Sequence, residues 1–154
     1  MANLNQFKKL SIICPILNEE QQLPLLIADI NLWPYTIDLQ FVDGGSRDNS
    51  VIVSRLSGAN VSQVIPPNRG SQLHTGAIKA ESEWLLFIHA DSRLHPLWAK
   101  KLFDIVNNPL AKKFYWYFDF KTKEKGITFR LLEVCVYLRS KFFRTPYGDQ
   151  GLLI

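Results

Sequence analysis

Cysteine is scarce in this chain of 154 residues, which contains only Cys14 and Cys135. The two stand in separate apolar runs, so neither a disulfide framework nor a zinc site with Cys-x-x-Cys spacing is available. This usage fits a reducing compartment, and we therefore expect a cytoplasmic protein.

Long uncharged apolar runs are also missing. No run reaches the roughly 18 apolar residues that a membrane-spanning helix needs. Residues 1–9 lack the apolar stretch and the cleavage site of a signal peptide. Residues 127–143 are strongly apolar but carry interspersed charges, so this segment could lie on a membrane without crossing it. Peripheral contact with the inner face of the membrane is therefore a second expectation.

Glycine is absent from one informative place, residues 15–20, which follow the first apolar run. Dinucleotide-binding dehydrogenases carry Gly-x-Gly-x-x-Gly there, and nucleotidyltransferases carry a glycine-rich phosphate loop near their first strand. The sequence therefore argues against both of these enzyme classes.

The charge is moderately basic, with 18 Lys and Arg against 14 Asp and Glu and a net charge of +4. Residues 95–154 hold eleven of the basic side chains and five of the acidic ones. Such a balance suits a phosphate-bearing ligand, an anionic membrane surface or nucleic acid. Nucleic acid is the least favoured partner, because the basic residues form no recognisable binding motif and the aromatic residues are typical of a core.

Short apolar runs recur at similar intervals in the first half of the chain, without the polar alternation of half-exposed strands. Such runs are typical of buried parallel strands, and segments with helical spacing separate them. This alternation predicts an α/β fold, a mainly parallel sheet flanked by helices, in one domain over residues 1–154. The predicted strands are residues 10–14, 37–42, 61–65 and 84–88.

The second half is predicted in less detail. A helix should follow Pro96 and end near Asn107, and residues 114–120 should form an aromatic strand. Residues 127–143 are expected to form an amphipathic helix, and residues 145–154 a loop that leads into an apolar stretch. Asp48 and Ser71 are candidate helix caps.

Polar residues follow each predicted strand. In an open parallel sheet, ligands bind outside the carboxyl ends of the strands, so these residues should converge on one edge. They are Pro15 with Asn18-Glu19-Glu20, then Asp43-Gly44-Gly45-Ser46-Arg47-Asp48, then Asn68-Arg69-Gly70, and finally His89-Ala90-Asp91-Ser92.

Three of these groups have both a functional and a structural interpretation. Around Asp43, glycines would let the backbone approach a ligand closely, and the carboxylate would accept hydrogen bonds from a base or ribose. The alternative is a tight turn in which Asp48 caps the next helix. Arg69 at a helix start would cradle a pyrophosphate, or would be a solvated surface arginine. His89 and Asp91, on one side of an extended segment, would share a divalent cation, or Asp91 would cap the next helix.

Taken together and in this order, the motifs resemble those of the family 2 glycosyltransferases, enzymes of the GT-A fold that move a sugar from a nucleotide donor to an acceptor hydroxyl. The resemblance implies that the segment with Pro15, Asn18 and Glu19 surrounds the nucleoside and that Asp43 binds a uracil-like base. It implies the same binding site for further residues: Gly44, Ser46, Asp48, Arg69 and Gly70.

The resemblance also implies a catalytic base and a metal site. Asp149, within Tyr147-Gly148-Asp149-Gln150, matches the position of the base. His89-Ala90-Asp91 stands where the metal-binding Asp-x-Asp belongs, so Asp91 and His89 would hold Mn²⁺ or Mg²⁺, although the first aspartate is replaced. More narrowly, His89 to Leu94 and Tyr147 to Gly151 resemble the radical-SAM/selenodomain-associated transferases, whose acceptor the sequence does not name.

Members of this family continue beyond the Gly-Asp-Gln segment, so the resemblance implies a chain that stops early, with residues 1–95 as the nucleotide-sugar half and 96–154 as an incomplete acceptor half. The expected partners are a nucleotide-diphospho-sugar donor, an unidentified acceptor and no nucleic acid. The alternative is a truncated, non-catalytic module that binds nucleotide or associates with a membrane.

Overall fold

A computed structural model describes residues 10–119, 126–143 and 151–154. Within them, six strands form one sheet with the order β3-β2-β1-β4-β6-β5. The strands are β1 (Leu10–Ile16), β2 (Ile37–Asp43), β3 (Asn60–Gln63), β4 (Trp84–Phe87), β5 (Trp116–Tyr117) and β6 (Leu152–Leu153).

The first four strands are parallel, and this confirms the α/β prediction. Helices connect them, as the apolar spacing indicated. The helices are α1 (Leu23–Ile30), α2 (Ser50–Leu56), α3 (Arg69–Lys79), α4 (Trp98–Val106) and α5 (Ile127–Phe143). A short 3-10 helix spans Ala111–Lys113.

The core lies along the central strand β1, every residue of which is buried. On one side, α3 approaches the sheet so closely that a Cβ atom on Gly76 would lie 2.5 Å from Cγ2 of Ile13. Elsewhere, the ring of Trp33 stacks on Trp98 with centroids 5.7 Å apart, and this contact joins the region after α1 to the start of α4.

Asp38 lies at the edge of the sheet where the parallel strands begin, and its carboxylate binds residues of neighbouring strands there. Its carboxylate accepts hydrogen bonds from Ser11 Oγ at 2.6 Å, Gln40 Nε2 at 2.6 Å and the Glu81 backbone N–H at 3.1 Å. These donors come from β1, β2 and the segment before β4. One side chain therefore ties together the starts of neighbouring strands.

Three local predictions need correction. The aromatic strand is shorter than residues 114–120, because only Trp116 and Tyr117 pair with a neighbour. The chain end forms β6, an unpredicted strand that is antiparallel to both β4 and β5. The cap of α3 is Asn68 and not Ser71, since the Asn68 side chain accepts the Ser71 N–H. The helix expected after Pro96 and ending near Asn107 is confirmed as α4, which begins at Trp98 and has Asn107 as its C-cap.

Among the helices of the described residues, none combines the length and the apolar character required to cross a membrane.

Candidate functional site at the carboxyl edge of the sheet

Four segments leave the carboxyl ends of β1 to β4 at one edge of the sheet. They are residues 17–22, 44–49, 64–68 and 88–97. Because β1 lies between β2 and β4, the segment after β1 is flanked by the segments after β2 and β4. The candidate residues of these segments thus gather where an open parallel sheet binds ligands.

Asn18 joins the loop after β1 to the loop after β2. Its backbone N–H donates to Ser46 Oγ at 2.9 Å, and its side-chain Oδ1 accepts the Arg47 N–H at 2.8 Å. Asn18 has a φ of 57°, a left-handed conformation that asparagine tolerates better than most residues. The sequence predicted Asn18 and Ser46 for one site, and the structure places them in contact.

Glu20 and Asp48 make a second set of bonds between these loops. Asp48 Oδ2 accepts the Glu20 N–H at 3.1 Å, and Glu20 Oε2 accepts the Asn49 N–H at 3.0 Å. Ser50 Oγ accepts the Glu19 N–H at 2.7 Å. Asp48 Oδ1 also accepts the Ser50 N–H at the start of α2 at 3.0 Å, so the structural interpretation of Asp48 applies as well.

Asp43 ends β2 and is buried, with 1% of its surface exposed. Its carboxylate accepts hydrogen bonds from the N–H groups of Gly45 and Ser46, both at 3.0 Å, and from Gln63 Nε2 at 2.9 Å. Burial on its own raises the pKa of Asp43, but the hydrogen bonds outweigh it and hold the pKa below the ordinary value. Asp43 is therefore an ionised anchor for the turn after β2.

Gly44 is required by packing inside the protein. A Cβ atom there would lie 3.0 Å from the Pro67 Cβ and 3.2 Å from Gln72 Nε2. Gln72 is buried on α3, and its amide donates to the carbonyl oxygens of Ile16 at 3.1 Å and Val42 at 2.7 Å. This amide connects the ends of β1 and β2 beneath the site.

The start of α3 presents Arg69 and Gly70 at the surface, and both are exposed. Asn68 fixes this helix start, because its Oδ1 accepts the Ser71 N–H at 2.9 Å. An arginine beside the N-terminus of an 11-residue helix forms a region of positive potential. Pro15, by contrast, is buried within β1, because this strand extends to Ile16.

His89 and Asp91 do not continue β4. The strand ends at Phe87, and the Ser92 N–H donates to the His89 carbonyl at 3.1 Å, which closes a turn over residues 89–92. His89 is 7% exposed, whereas Asp91 is exposed. The argument that an extended course puts both side chains on one side therefore does not apply.

Electrostatic interactions connect the segments. Burial raises the pKa of Glu19, the charges of Asp91 and Asp48 raise it further, and the charge of Arg69 lowers it. Burial likewise raises the pKa of the Cys14 thiol, with added contributions from Glu19 and Asp91. The charges of Asp48, Arg69 and Asp91 thus all act on Glu19.

Among the described residues, the fit to a divalent cation depends on a bound ligand that supplies further oxygen atoms. Within residues 10–119, 126–143 and 151–154, no three or more His, Cys, Asp or Glu side chains gather as a ready-made metal site. Asp91 supplies an exposed carboxylate, and Mg²⁺-type cations are commonly held by one or two carboxylates together with substrate phosphates and water. The arrangement fits a cation that arrives with a diphosphate.

Asp149, the expected catalytic base, lies outside the described residues. The sequence interpretation named Glu20 among the polar residues after the first strand but gave it no role, and it overlooked Gln72 and the pair formed by Asp29 and Arg93. Of these, Asp29 carried a signal in the sequence, since it is a lone carboxylate in the apolar helix Leu23–Ile30. The structure buries it, with 8% of its surface exposed.

Known proteins resemble the chain in sequence. An uncharacterised glycosyltransferase of Mycobacterium tuberculosis is 32% identical over 84 residues, which cover 54% of this chain and 37% of that protein. The 4,4'-diaponeurosporenoate glycosyltransferase of Staphylococcus haemolyticus is 28% identical over 95 residues, or 57% of this chain and 25% of that protein. The chain therefore spans well under half the length of these relatives.

Solved structures share the fold. Glucosyl-3-phosphoglycerate synthase from M. tuberculosis, in complex with Mn²⁺, UDP and glucosyl-3-phosphoglycerate, has a TM-score of 0.68 at 20% identity and covers 97% of this chain and 57% of its own. TarS of S. aureus in complex with UDP has a TM-score of 0.62 at 18% identity and covers 77% of this chain and 38% of its own. The architecture is that of the GT-A glycosyltransferases.

A family model decides the classification, because it matches most of the chain. The model is that of glycosyl transferase family 2, and it matches residues 11–142. The matched range includes β1 to β4 and the segments that follow them. The chain belongs to glycosyl transferase family 2.

Proposed function

We propose that this chain carries the donor-binding part of a glycosyltransferase that moves a sugar from a nucleoside-diphosphate donor to an acceptor hydroxyl, with inversion at the anomeric carbon. One observation supports this most directly: hydrogen bonds of Asn18 with Ser46 and Arg47, and of Glu20 with Asp48, join the loops after β1 and β2 at the carboxyl edge of the sheet, where open parallel sheets bind ligands. Family membership supports sugar transfer in general.

The nucleoside would lie over the paired loops after β1 and β2. Asp43 would bind the base, directly or through the turn it anchors, and Asn18 or Glu19 would bind the ribose. The other residues assigned to this part of the site are Pro15, Gly44, Ser46 and Asp48. A preformed loop pair suits this task, because little conformational entropy remains to be lost when a ligand binds.

The diphosphate would lie between α3 and the turn after β4. Arg69, the Gly70 region and the N-terminal N–H groups of α3 would share its negative charge. Asp91, joined by His89 in the liganded state, would hold Mn²⁺ or Mg²⁺ against it. When bound, such a cation stabilises the charge that develops on the departing diphosphate.

Asp149 would act as the general base. The acceptor hydroxyl oxygen would attack the anomeric carbon as the bond from that carbon to the diphosphate oxygen breaks, and the carboxylate of Asp149 would take the hydroxyl proton. Residues 1–95 would thus supply the donor half and residues 96–154 the acceptor half. Assignment to the radical-SAM/selenodomain-associated subgroup, and a cytoplasmic location, remain predictions.

Calorimetric titration with UDP and GDP, with and without Mn²⁺, tests donor binding. We expect one of these nucleotides to bind and Mn²⁺ to strengthen its binding. The Asp91→Asn variant should lose at least about tenfold in affinity with Mn²⁺, or about 1.4 kcal/mol, and little without it. Absence of binding to both nucleotides would contradict the proposal.

The same titration separates binding from chemistry at Asp149. In the Asp149→Asn variant, UDP affinity should stay near that of the unsubstituted protein, while release of UDP from a panel of UDP-sugars should slow by about 10²–10⁴-fold. Turnover at the original rate would refute the assignment of Asp149 as the base.

The second candidate function is a membrane-associated module, which the surface of α5 favours. Ile127, Leu131, Val134 and Leu138 recur with the spacing of one helix face and are 87%, 62%, 51% and 44% exposed. Arg130, also exposed, lies on the same helix. An apolar helix face with a basic residue on a basic chain suits the surface of an anionic membrane.

A further inference from the structure

Asp29 is a buried charge with an unusual set of partners. It lies in the last turn of α1, and its carboxylate accepts hydrogen bonds from Arg93 Nε at 2.6 Å, Arg93 Nη2 at 2.9 Å and the Leu94 N–H at 3.0 Å. Its own carbonyl accepts the Trp98 Nε1–H at 2.9 Å. Every one of these donors comes from the segment between β4 and α4 or from the start of α4.

The position of Asp29 gives α1 itself no advantage. Carbonyl groups at the carboxyl end of a helix carry partial negative charge, so a carboxylate there is unfavourable for the helix. The bidentate bond from Arg93 offsets this effect, and fork-shaped pairing of this kind fixes geometry as well as charge. The pair is therefore best explained by what it does for the segment that contains Arg93.

That segment contains the turn with Asp91, and it is held at both ends. Before the turn, the Ile88 N–H donates to the Ile13 carbonyl at 3.1 Å, and His89 is buried. After the turn, Arg93 and Leu94 are bound to Asp29. Asp91 lies between these two attachments, is exposed, and follows β4 at the carboxyl edge of the sheet, where the loops after β1 and β2 also lie.

We propose that Asp29 and Arg93 are a positioning pair, which holds the turn of residues 89–92 in place so that Asp91 meets the diphosphate of the donor without further ordering of the loop. The inference rests on the proposed function for its ligand. It differs from a purely structural role in its expected effect, since loss of the pair should weaken binding of the diphosphate and not binding of the nucleoside.

The test compares UDP with uridine, both titrated in the presence of Mn²⁺. In Arg93→Gln and in Asp29→Asn, UDP affinity should fall about tenfold, while uridine affinity should stay within about twofold, because the paired loops after β1 and β2 are untouched. The double variant should lose no more than either single one, since both substitutions remove the same interaction. Lys112→Gln, which breaks the exposed ion pair with Glu83, is the matched control and should change neither affinity.

Hydrogen exchange gives a readout that needs no ligand. In the Arg93 and Asp29 variants, amides of residues 88–95 should exchange faster, whereas those of β1 should not change. The inference is overturned by unchanged exchange in this segment, by equal losses for UDP and uridine, or by additive losses in the double variant. If the unsubstituted chain binds neither UDP nor GDP, the proposed function fails, and the exchange result still decides whether the pair holds the turn.

Discussion

Asp38, Asp43 and Glu19 show how neighbouring groups set the acidity of a carboxyl group in opposite directions. All three are partly desolvated, and burial raises the pKa of each. Asp38 and Asp43 also accept several hydrogen bonds, which outweigh burial and lower the pKa. Glu19 instead faces the charges of Asp91 and Asp48, so its pKa is raised. A cationic ligand group near Glu19 would reverse this effect.

Asp38 should make the protein sensitive to acid. Its pKa in the folded state lies below the ordinary value of 3.8, so its contribution to stability is present above about pH 4 and is lost as the pH falls through the folded-state value. In Asp38→Asn, the free energy of unfolding should therefore fall less between about pH 5 and pH 2 than in the unsubstituted protein. Urea unfolding at a series of pH values measures this.

Asp104→Asn serves as the control for this experiment, because Asp104 is an exposed carboxylate on α4. It should retain the pH dependence of the unsubstituted protein. Equal pH dependence in the Asp38 variant would show that the hydrogen bonds around Asp38 contribute nothing.

Single residues could be predicted where the local sequence decides their role. The motif around Asn18 and Ser46 was recognisable because polar residues directly follow apolar runs. Gln72 and Arg93 were not, because their partners lie 30 or more residues away along the chain, at Val42 and Asp29. His89 was expected on an extended segment, but the turn closed by Ser92 ends that extension.

Helix α3 joins the core to the site, since it packs on β1 at Gly76 and presents Arg69 at its start. Replacing Gly76 by alanine adds one methyl group where Ile13 Cγ2 would be 2.5 Å away. Helix propensity alone would favour alanine by about 1 kcal/mol. We nevertheless expect a net loss of up to about 2 kcal/mol, because overpacking costs roughly 1–3 kcal/mol.

Chemical denaturation of Gly76→Ala measures this loss, and Ile78→Ala on the same helix is the control. Ile78 is 70% exposed, so its truncation should change the free energy of unfolding by no more than about 0.5 kcal/mol. A Gly76 variant more stable than the unsubstituted protein would mean that α3 does not approach β1 this closely.

The sequence predicted the longer helices and the longer buried strand, and it did not predict the shortest strands correctly. β1 was found from its continuous apolar run, and α1 and α5 were found from helical spacing, because seven or more residues share one pattern in each. β5 and β6 comprise two residues each, and such short strands are defined by their pairing partners. Leu153 is buried between β4 and β5, a relation that the local sequence does not encode.

The sheet of the whole molecule combines four parallel strands, β1 to β4, with two short strands, β5 and β6, that add antiparallel pairs. The four parallel strands and their connections come from residues 10–87, and the α/β class was predictable from them. The addition was not, because β6 enters the sheet from the far end of the chain and pairs with β4. The division into donor and acceptor halves, at residue 95, remains a prediction.

Membrane association should depend on the exposed face of α5, formed by Ile127, Leu131, Val134 and Leu138. We expect the chain to float with vesicles that contain anionic lipid and not with neutral ones, because both apolar burial and the basic charge contribute. The double variant Leu131→Gln, Val134→Gln should lose this association.

Ile52→Gln is the matched control, since Ile52 is 58% exposed on α2 and lies outside that face. It should float like the unsubstituted chain. Failure of the unsubstituted chain to associate with either kind of vesicle would remove this candidate function.

The reciprocal bonds between residues 17–20 and 44–50 also bear on protein engineering. Each segment supplies both donors and acceptors to the other, as Asn18 does with Ser46 and Arg47. A chimera that imports only one of them from a homologue would inherit mismatched partners. Altering donor preference by grafting should therefore require both segments from the same parent, and the two should vary together among natural sequences.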